Sequence, residues 1–315
     1  MNKKILISII IILVLVLSVG TYLFLKPTKP QPNMNKCGDG ICQSIERLEP
    51  NLCPNDCRAT EEQTSTFFMI HFEVGARKDN PTYSKIAPGS TVRNLKYQEA
   101  LWPATVKLLD LANQYDFDLT LAFNPQWAEY ILQDKEKVAI VKEWQKQGHE
   151  IAFHHHAYTH NDWHGFSDRT EPNVLNDPKY RGKLEEGIYF INEVAKPEEV
   201  ITGSSLSIAT GGGKDNPSDA RKKLEIIKKW GKDVPYLSHG FFDNFIDNKL
   251  MEEFKQEYKK TENDEIFGVT THAHNFYNRP EIMNEWFEFI KTEKDKIQTV
   301  KKITKEFYPE FVSAD

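Results

Sequence analysis

The run Thr66–Gly75, TFFMIHFEVG, is apolar on both faces of a strand. Phe68, Ile70, Phe72 and Val74 share one side, and Phe67, Met69, His71 and Glu73 share the other. Such a strand needs cover on both faces, which is the situation of a parallel sheet between layers. Its two ionisable residues, His71 and Glu73, stand near its C-terminal end.

The rest of the chain alternates in the same style. Leu101–Tyr115 has helical spacing, and Phe117–Phe123 reads as the next strand. Asn124 and Pro125 supply a helix cap and first residue, with helical periodicity running on through Val138, Val141 and Trp144 to Gly148. Ile151–Phe153 is a strand, Leu184–Val194 a helix and Glu199–Thr202 strand-like. Asn216-Pro217 predicts a cap for a helix reaching Trp230, followed by strands at Val234–Leu237 and Glu265–His272. Pro280 opens a helix with Ile282, Met283, Trp286, Phe287 and Ile290 on one face. Gln298–Ile303 reads as a last strand, with Thr304 capping a closing helix. Repeated strand–helix units predict an α/β fold with right-handed crossovers.

The first 64 residues read differently. Lys3 and Lys4 precede Ile5–Leu25, an uncharged and mostly apolar run of about the length that crosses a bilayer. Charge before the run orients it N-terminus inside. A cleaved signal peptide is the alternative; an uncleaved anchor is the expectation. Both put the rest of the chain outside the cytoplasm. All four cysteines lie within Cys37–Cys57, and in an exported chain they imply two disulfides, the pairing open. Three parts result: an anchor or signal at 1–26, a linker with a Cys-rich element at 27–64, and an α/β domain at 65–315. A net charge of −6 gives no reason to expect nucleic acid, and the Lys222–Lys232 stretch reads as a solvated face.

Five of the ten histidines crowd into His154–His164, immediately after the Ile151–Phe153 strand. Alternation puts His154 and His156 on one face, and His160 can return to the same point from a turn. These ligand types at this spacing suit a divalent cation, zinc above all. His272 and His274 follow another strand. Candidate polar residues thus collect at C-terminal strand ends, the edge on which parallel α/β barrels build their sites. His149 and His239 read as structural or solvated.

With these motifs in hand, a resemblance is visible. Gly148-His149-Glu150-Ile151, then His156-Ala157-Tyr158-Thr159-His160, then a late strand ending in His272, resembles the polysaccharide deacetylase (NodB-homology) family over roughly Thr66 to Phe311. The segment CGDGIC…CPNDC resembles a short Cys-rich element of exported proteins. The family resemblance implies an irregular (β/α) barrel of about seven strands, a divalent metal and hydrolysis of acetyl groups on glycans. Carried over, His156 and His160 match the metal pair, Glu73 stands where the first-strand acids stand, and His272 matches the late acid. The family's paired aspartates are replaced by His71-Phe72-Glu73, and Thr202–Ser207 contains no Arg. His154 is therefore added as a metal ligand, His71 as base or ligand, Asp162 as a weaker alternative base, and His274 beside His272 as acid.

The expected function is an extracytoplasmic, metal-dependent hydrolase of acylated glycans. Two alternatives remain open: a carbohydrate-binding barrel with an altered centre, in which Tyr158, Trp163, Phe276 and Tyr277 stack on sugars, and another amide or ester hydrolase on the same fold.

Overall fold

A computed structural model describes residues 65–75, 85–160, 162–211, 217–242, 248–262, 265–293 and 295–312, all within the unit Ala59–Asp315. The apolar run Ile5–Leu25 and the cysteines Cys37–Cys57 lie outside the described residues. Among the described residues no helix is long and apolar enough to cross a membrane.

Strand β1 (Ser65–Phe72) is the centre of the sheet. It pairs in parallel with β2 (Thr120–Phe123) on one side and β9 (Ile266–His272) on the other. Beyond β2 lies β3 (Glu150–Phe153), also parallel. The short β10 (Ile297–Gln298) extends β1, and β8 (Gly240–Phe242) extends β9, both in parallel; the two-residue β5 (Arg221–Lys222) is antiparallel to β9. A second sheet, β4 (Ala209–Gly211), β7 (Lys232–Ser238) and β6 (Glu225–Lys229), continues the wrap through bridges Phe153↔Gly203 and Thr202↔Ile208.

The two faces of β1 do what its alternation requires. Phe68, Ile70 and Phe72 pack outward against helices, in a core that includes Leu108 of α1 (Lys96–Gln114), Trp127 of α2 (Pro125–Leu132) and Trp286. Phe67 and Met69 face inward, onto a second core with Ala122, Ala152, Ile208 and Leu237 from the other strands. This inner core spans both sheets, as the interior of an irregular barrel does. Asn124 caps α2 by accepting from the N–H groups of Gln126 and Trp127. Asp134 begins α3 (Lys135–Lys146) in the same way. The remaining helices are α4 (Pro172–Leu175), α5 (Leu184–Ala195), α6 (Asn248–Tyr258), α7 (Ala273–Asn278), α8 (Pro280–Thr292) and α9 (Val300–Phe307). All five apolar residues predicted for one face of α8 are buried.

The GHE sequence before β3 holds the opposite, N-terminal edge of the sheet. Gly148 has φ +107, and a Cβ there would stand 2.3 Å from Asp118 Oδ1. His149 is buried: its Nδ1 accepts the Leu119 N–H at 3.0 Å, and its Nε2 meets Asn113 Oδ1 at 3.1 Å. Glu150 is also buried and accepts from the hydroxyls of Thr120 and Thr202 and from the Lys301 N–H at the start of α9. The Gly148-His149-Glu150 part of the motif is therefore a structural clamp.

Three expectations are corrected. The helix predicted from Asn216-Pro217 to Trp230 is a 3-10 turn at Pro217–Asp219 followed by β5 and β6. Ile226 and Ile227 are β-branched, and Trp230-Gly231, both with positive φ, form a two-residue hairpin turn into β7. The strand predicted at Gln298–Ile303 ends at Gln298, and α9 takes over, capped by Thr299 accepting from Lys302 N–H at 3.1 Å. Glu199–Thr202 forms only the Thr202 bridge.

Candidate metal centre

Strand register brings the chemistry together. His71 pairs with His272 across β1 and β9, and with Ala122 on β2. Beyond β3, the His154 N–H still donates to Phe123 O at 2.8 Å, so the strand path aims the histidine run at the mouth of the interior. Glu73 lies just past β1 and is almost wholly buried. Its backbone is fixed on the helix side by the Trp127 indole N–H, which donates to Glu73 O at 3.0 Å. Gly75 then turns the chain away with φ +71; a Cβ there would collide with the Tyr97 ring at 2.1 Å.

The Glu73 carboxylate is surrounded by imidazoles. Oε1 lies 3.3 Å from His154 Nε2 and 3.0 Å from His272 Nε2; Oε2 lies 3.3 Å from His156 Nε2. The two nitrogens of His154 and His156 are 2.6 Å apart. His71 stacks on His154 with ring centroids 4.0 Å apart, and its ring has a nitrogen in one donor group with Glu73 and His272. A second donor group contains Glu73, His154 and His156.

Protonation follows from burial and charge. Burial pushes the Glu73 carboxyl up, but His156 and His154 beside it outweigh that and hold it well below the usual range. Burial pushes His154 down to about 4, and the neighbouring carboxylate recovers only part. Burial and then His154 hold His71 well below its ordinary value. Burial also opposes charge on His156, but Glu73 outweighs it and raises that ring. An ionised carboxylate beside the neutral His154 ring is the donor state a divalent cation takes, and His156 gives up its proton when it joins them. Glu73 Oε2 is buried and makes no well-formed hydrogen bond among the described residues, despite the nearby imidazole. The residues present fit a cation held by Glu73, His154 and His156, with His272 and His71 adjoining.

The other candidates fall outside that group. His160 reaches His156 through the opposite ring nitrogen: Nδ1 meets Nδ1 at 2.6 Å. Its side chain is 53% exposed and belongs to a separate group with His156 and Asp162. His274 lies in the first turn of α7, buried, its ring parallel to His272 at 5.3 Å. Of the aromatic residues considered for sugar stacking, Trp163 and Phe276 are buried and Tyr277 is exposed.

Two histidines to which the sequence reading gave no part in the site also enter the neighbourhood. His239 is buried 5.8 Å from the His71 ring, and burial, then His272, push it down to about 3. The sequence signal was only its position after the β7 strand. His164 is fully buried, and its Nδ1 accepts the Phe166 N–H at 3.2 Å. Its proton therefore sits on Nε2, which donates to His155 Nδ1 at 2.7 Å. A cavity of about 190 Å³ opens among His71, His154, His155, His239 and Phe241, with Gly203 on its rim.

Comparison with known proteins adds a fold likeness. The family model "RET, Cysteine Rich Domain" matches residues 26–79, mostly outside the described residues. No curated protein matches. The chain is similar to Puue allantoinase at 13% identity and TM-score 0.51, over 81% of this chain and 94% of that one. It is also similar to a protein from Mycobacterium smegmatis named as a polysaccharide deacetylase, at 11% identity and TM-score 0.45, over 81% and 94% of the two chains. The Xyl-CE4 domain of a multidomain xylanase from the hindgut metagenome of Trinervitermes trinervoides gives 9% identity and TM-score 0.41, over 78% and 91%. At these identities the likeness concerns the fold.

Proposed function

We propose that the chain is a metal-dependent hydrolase that removes acyl groups from glycans outside the cytoplasm. The observation that carries this reading is the buried Glu73 carboxylate, within 3.3 Å of imidazole nitrogens from two separate strand ends. Glu73, His154 and His156 hold the cation, zinc being the one that carboxylate and imidazole donors of this number suit. When bound, it supplies Lewis acidity toward an acyl carbonyl. His71, kept neutral by burial, accepts the proton of the attacking water. His272 Nε2, beside Glu73 Oε1, delivers a proton to the leaving group, with His274 stacked behind it. The location rests on the sequence: Lys3 and Lys4 before Ile5–Leu25 tie the domain to the outer face of a membrane, and clustered cysteines suit an oxidising compartment.

One observation favours a second reading. The cavity of about 190 Å³ is small beside the several hundred Å³ that drug-sized ligands occupy, so a small amide or ureide is an alternative substrate class. The fold likeness to an allantoinase agrees with that class.

The test is metal titration into the chelator-stripped full chain, followed by acetate release from acetylated chitooligosaccharides and, in parallel, opening of allantoin. Uptake of one zinc, abolished in Glu73→Ala, with acetate released, is the expected result. Metal uptake without hydrolysis of either substrate leaves a binding barrel and removes the enzyme.

A further inference from the structure

We propose that the β6–β7 hairpin is a membrane-contact element that seats its tip in the interface of an anionic bilayer. The hairpin pairs Glu225 with Tyr236 and closes at Lys229↔Lys232 around Trp230-Gly231. Both turn residues have positive φ, 53° for Trp230 and 76° for Gly231. Asn-Gly is the favoured pair for such a turn, because a bulky residue in the left-handed region is strained. Trp230 thus occupies a position that costs conformational energy, and it gains no core packing there: the residue is 41% exposed. Ile226 on the same hairpin is 40% exposed. The other five tryptophans of the chain are buried or half-buried.

The charge around this tip selects the partner. Residues 222–233 carry five lysines against two acids, in a chain of net charge −6. Lys229 Nζ stands 4.8 Å from the Trp230 ring centroid and 5.6 Å from that of Tyr236. A half-exposed indole beside the Lys229 ammonium, on a lysine-rich hairpin, fits the boundary between acyl chains and anionic headgroups. The same chain carries the apolar run Ile5–Leu25, which is expected to tie it to a bilayer. Contact by the hairpin would fix how the domain is presented to that surface. It does not depend on the metal centre.

The test uses the full chain reconstituted in vesicles of brominated phosphatidylcholine, with or without an equimolar share of brominated phosphatidylglycerol. Bromine quenches tryptophan emission only at contact. The expected result is loss of about the one-in-six share that a single tryptophan contributes, in anionic vesicles alone and reversed by high salt. Trp230→Asn restores the favoured turn pair, so this variant keeps its thermal midpoint or raises it while losing the quenching. Changing Lys222, Lys228, Lys229 and Lys232 together to Gln abolishes it, since each lysine lost weakens partition roughly fivefold. Equal quenching in Trp230→Asn, or in vesicles without phosphatidylglycerol, overturns the proposal. So does a Trp230 emission shift produced by a soluble polyanionic glycan while vesicles are silent, which reassigns the tip to glycan.

Discussion

His154 Nε2 and His156 Nε2 lie 2.6 Å apart, and both lie 3.3 Å from the Glu73 carboxylate. His160 meets His156 through the other edge of its ring. One imidazole cannot offer both nitrogens to one ion, so the proposed cation takes His154 with Glu73 on the Nε2 side of His156 and leaves His160 on the other side. His154→Ala is expected to weaken zinc affinity by well over about 100-fold, and His160→Ala by about 10- to 100-fold, the scale of an outer-shell partner. Calorimetric titration of the chelator-stripped chain decides. The reverse order would return the ligand role to the H-x3-H pair.

The Glu73 side chain is aimed by its own backbone, and that backbone is held by Trp127 through a 3.0 Å hydrogen bond. Trp127→Phe keeps most of the buried ring and removes the donor. The expected loss is about 1–2 kcal/mol of stability with a roughly tenfold drop in zinc affinity. Denaturant midpoints with and without metal separate the two effects. A stability loss with unchanged affinity would make Trp127 a packing residue alone.

Much of this architecture was legible because period-two alternation is strong in β1. Its inward and outward residues divide between two cores as the sequence spacing demands. The same alternation puts His154 and His156 on one face, and the H-x3-H spacing adds His160 at the other edge of the His156 ring. The hairpin was illegible for a different reason. Asn216-Pro217 imitates a helix cap, and lysines at Lys222, Lys223, Lys228, Lys229 and Lys232 imitate a solvated helix face. Only the tertiary pairing of Ile227 with Val234 decides for strands. His239 stood outside every motif, and His164, though within the histidine cluster, had no spacing that marked its burial against His155.

His149 is a separate handle on acid stability, remote from the metal centre. Its Nδ1 accepts a backbone N–H, so a second ring proton can enter only by breaking that bond. Burial pushes the group down from 6.5 to about 4. The unfolded chain therefore binds the proton first as pH falls. Stability from this group is complete above about pH 6.5 and is lost on the way down to about 4, by roughly 3 kcal/mol in all. His149→Gln should lower the urea midpoint at pH 7.5 yet flatten its decline toward pH 4.5. Parallel curves for the two proteins would mean that His149 binds its proton alike in the folded and the unfolded chain.

Glu150 closes the same edge, and its two obvious substitutions should part company. Its carboxylate accepts from Thr120, Thr202 and the Lys301 N–H, which ties β2, β3 and the Thr202 bridge to the start of α9. Glu150→Ala strands those donors in the interior and should cost about 3 kcal/mol. Glu150→Gln keeps an oxygen for Thr120 and Lys301, whose geometry is fixed, while the Thr202 hydroxyl rotates to accept from the new amide. It should lie within about 1 kcal/mol of the parent at neutral pH. Burial raises the Glu150 carboxyl above its ordinary range, so the fold favours the protonated form. Its contribution is fully present below the ordinary carboxylate pKa and is lost as pH rises through the folded value. The parent should therefore lose ground to Glu150→Gln between pH 4.5 and 7.5 in urea titrations. His149 is common to both proteins and cancels from that difference. If the parent instead gains on Gln as pH rises, the hydrogen bonds to the ionised carboxylate outweigh its burial, and Glu150 is an anionic anchor for the N-terminus of α9.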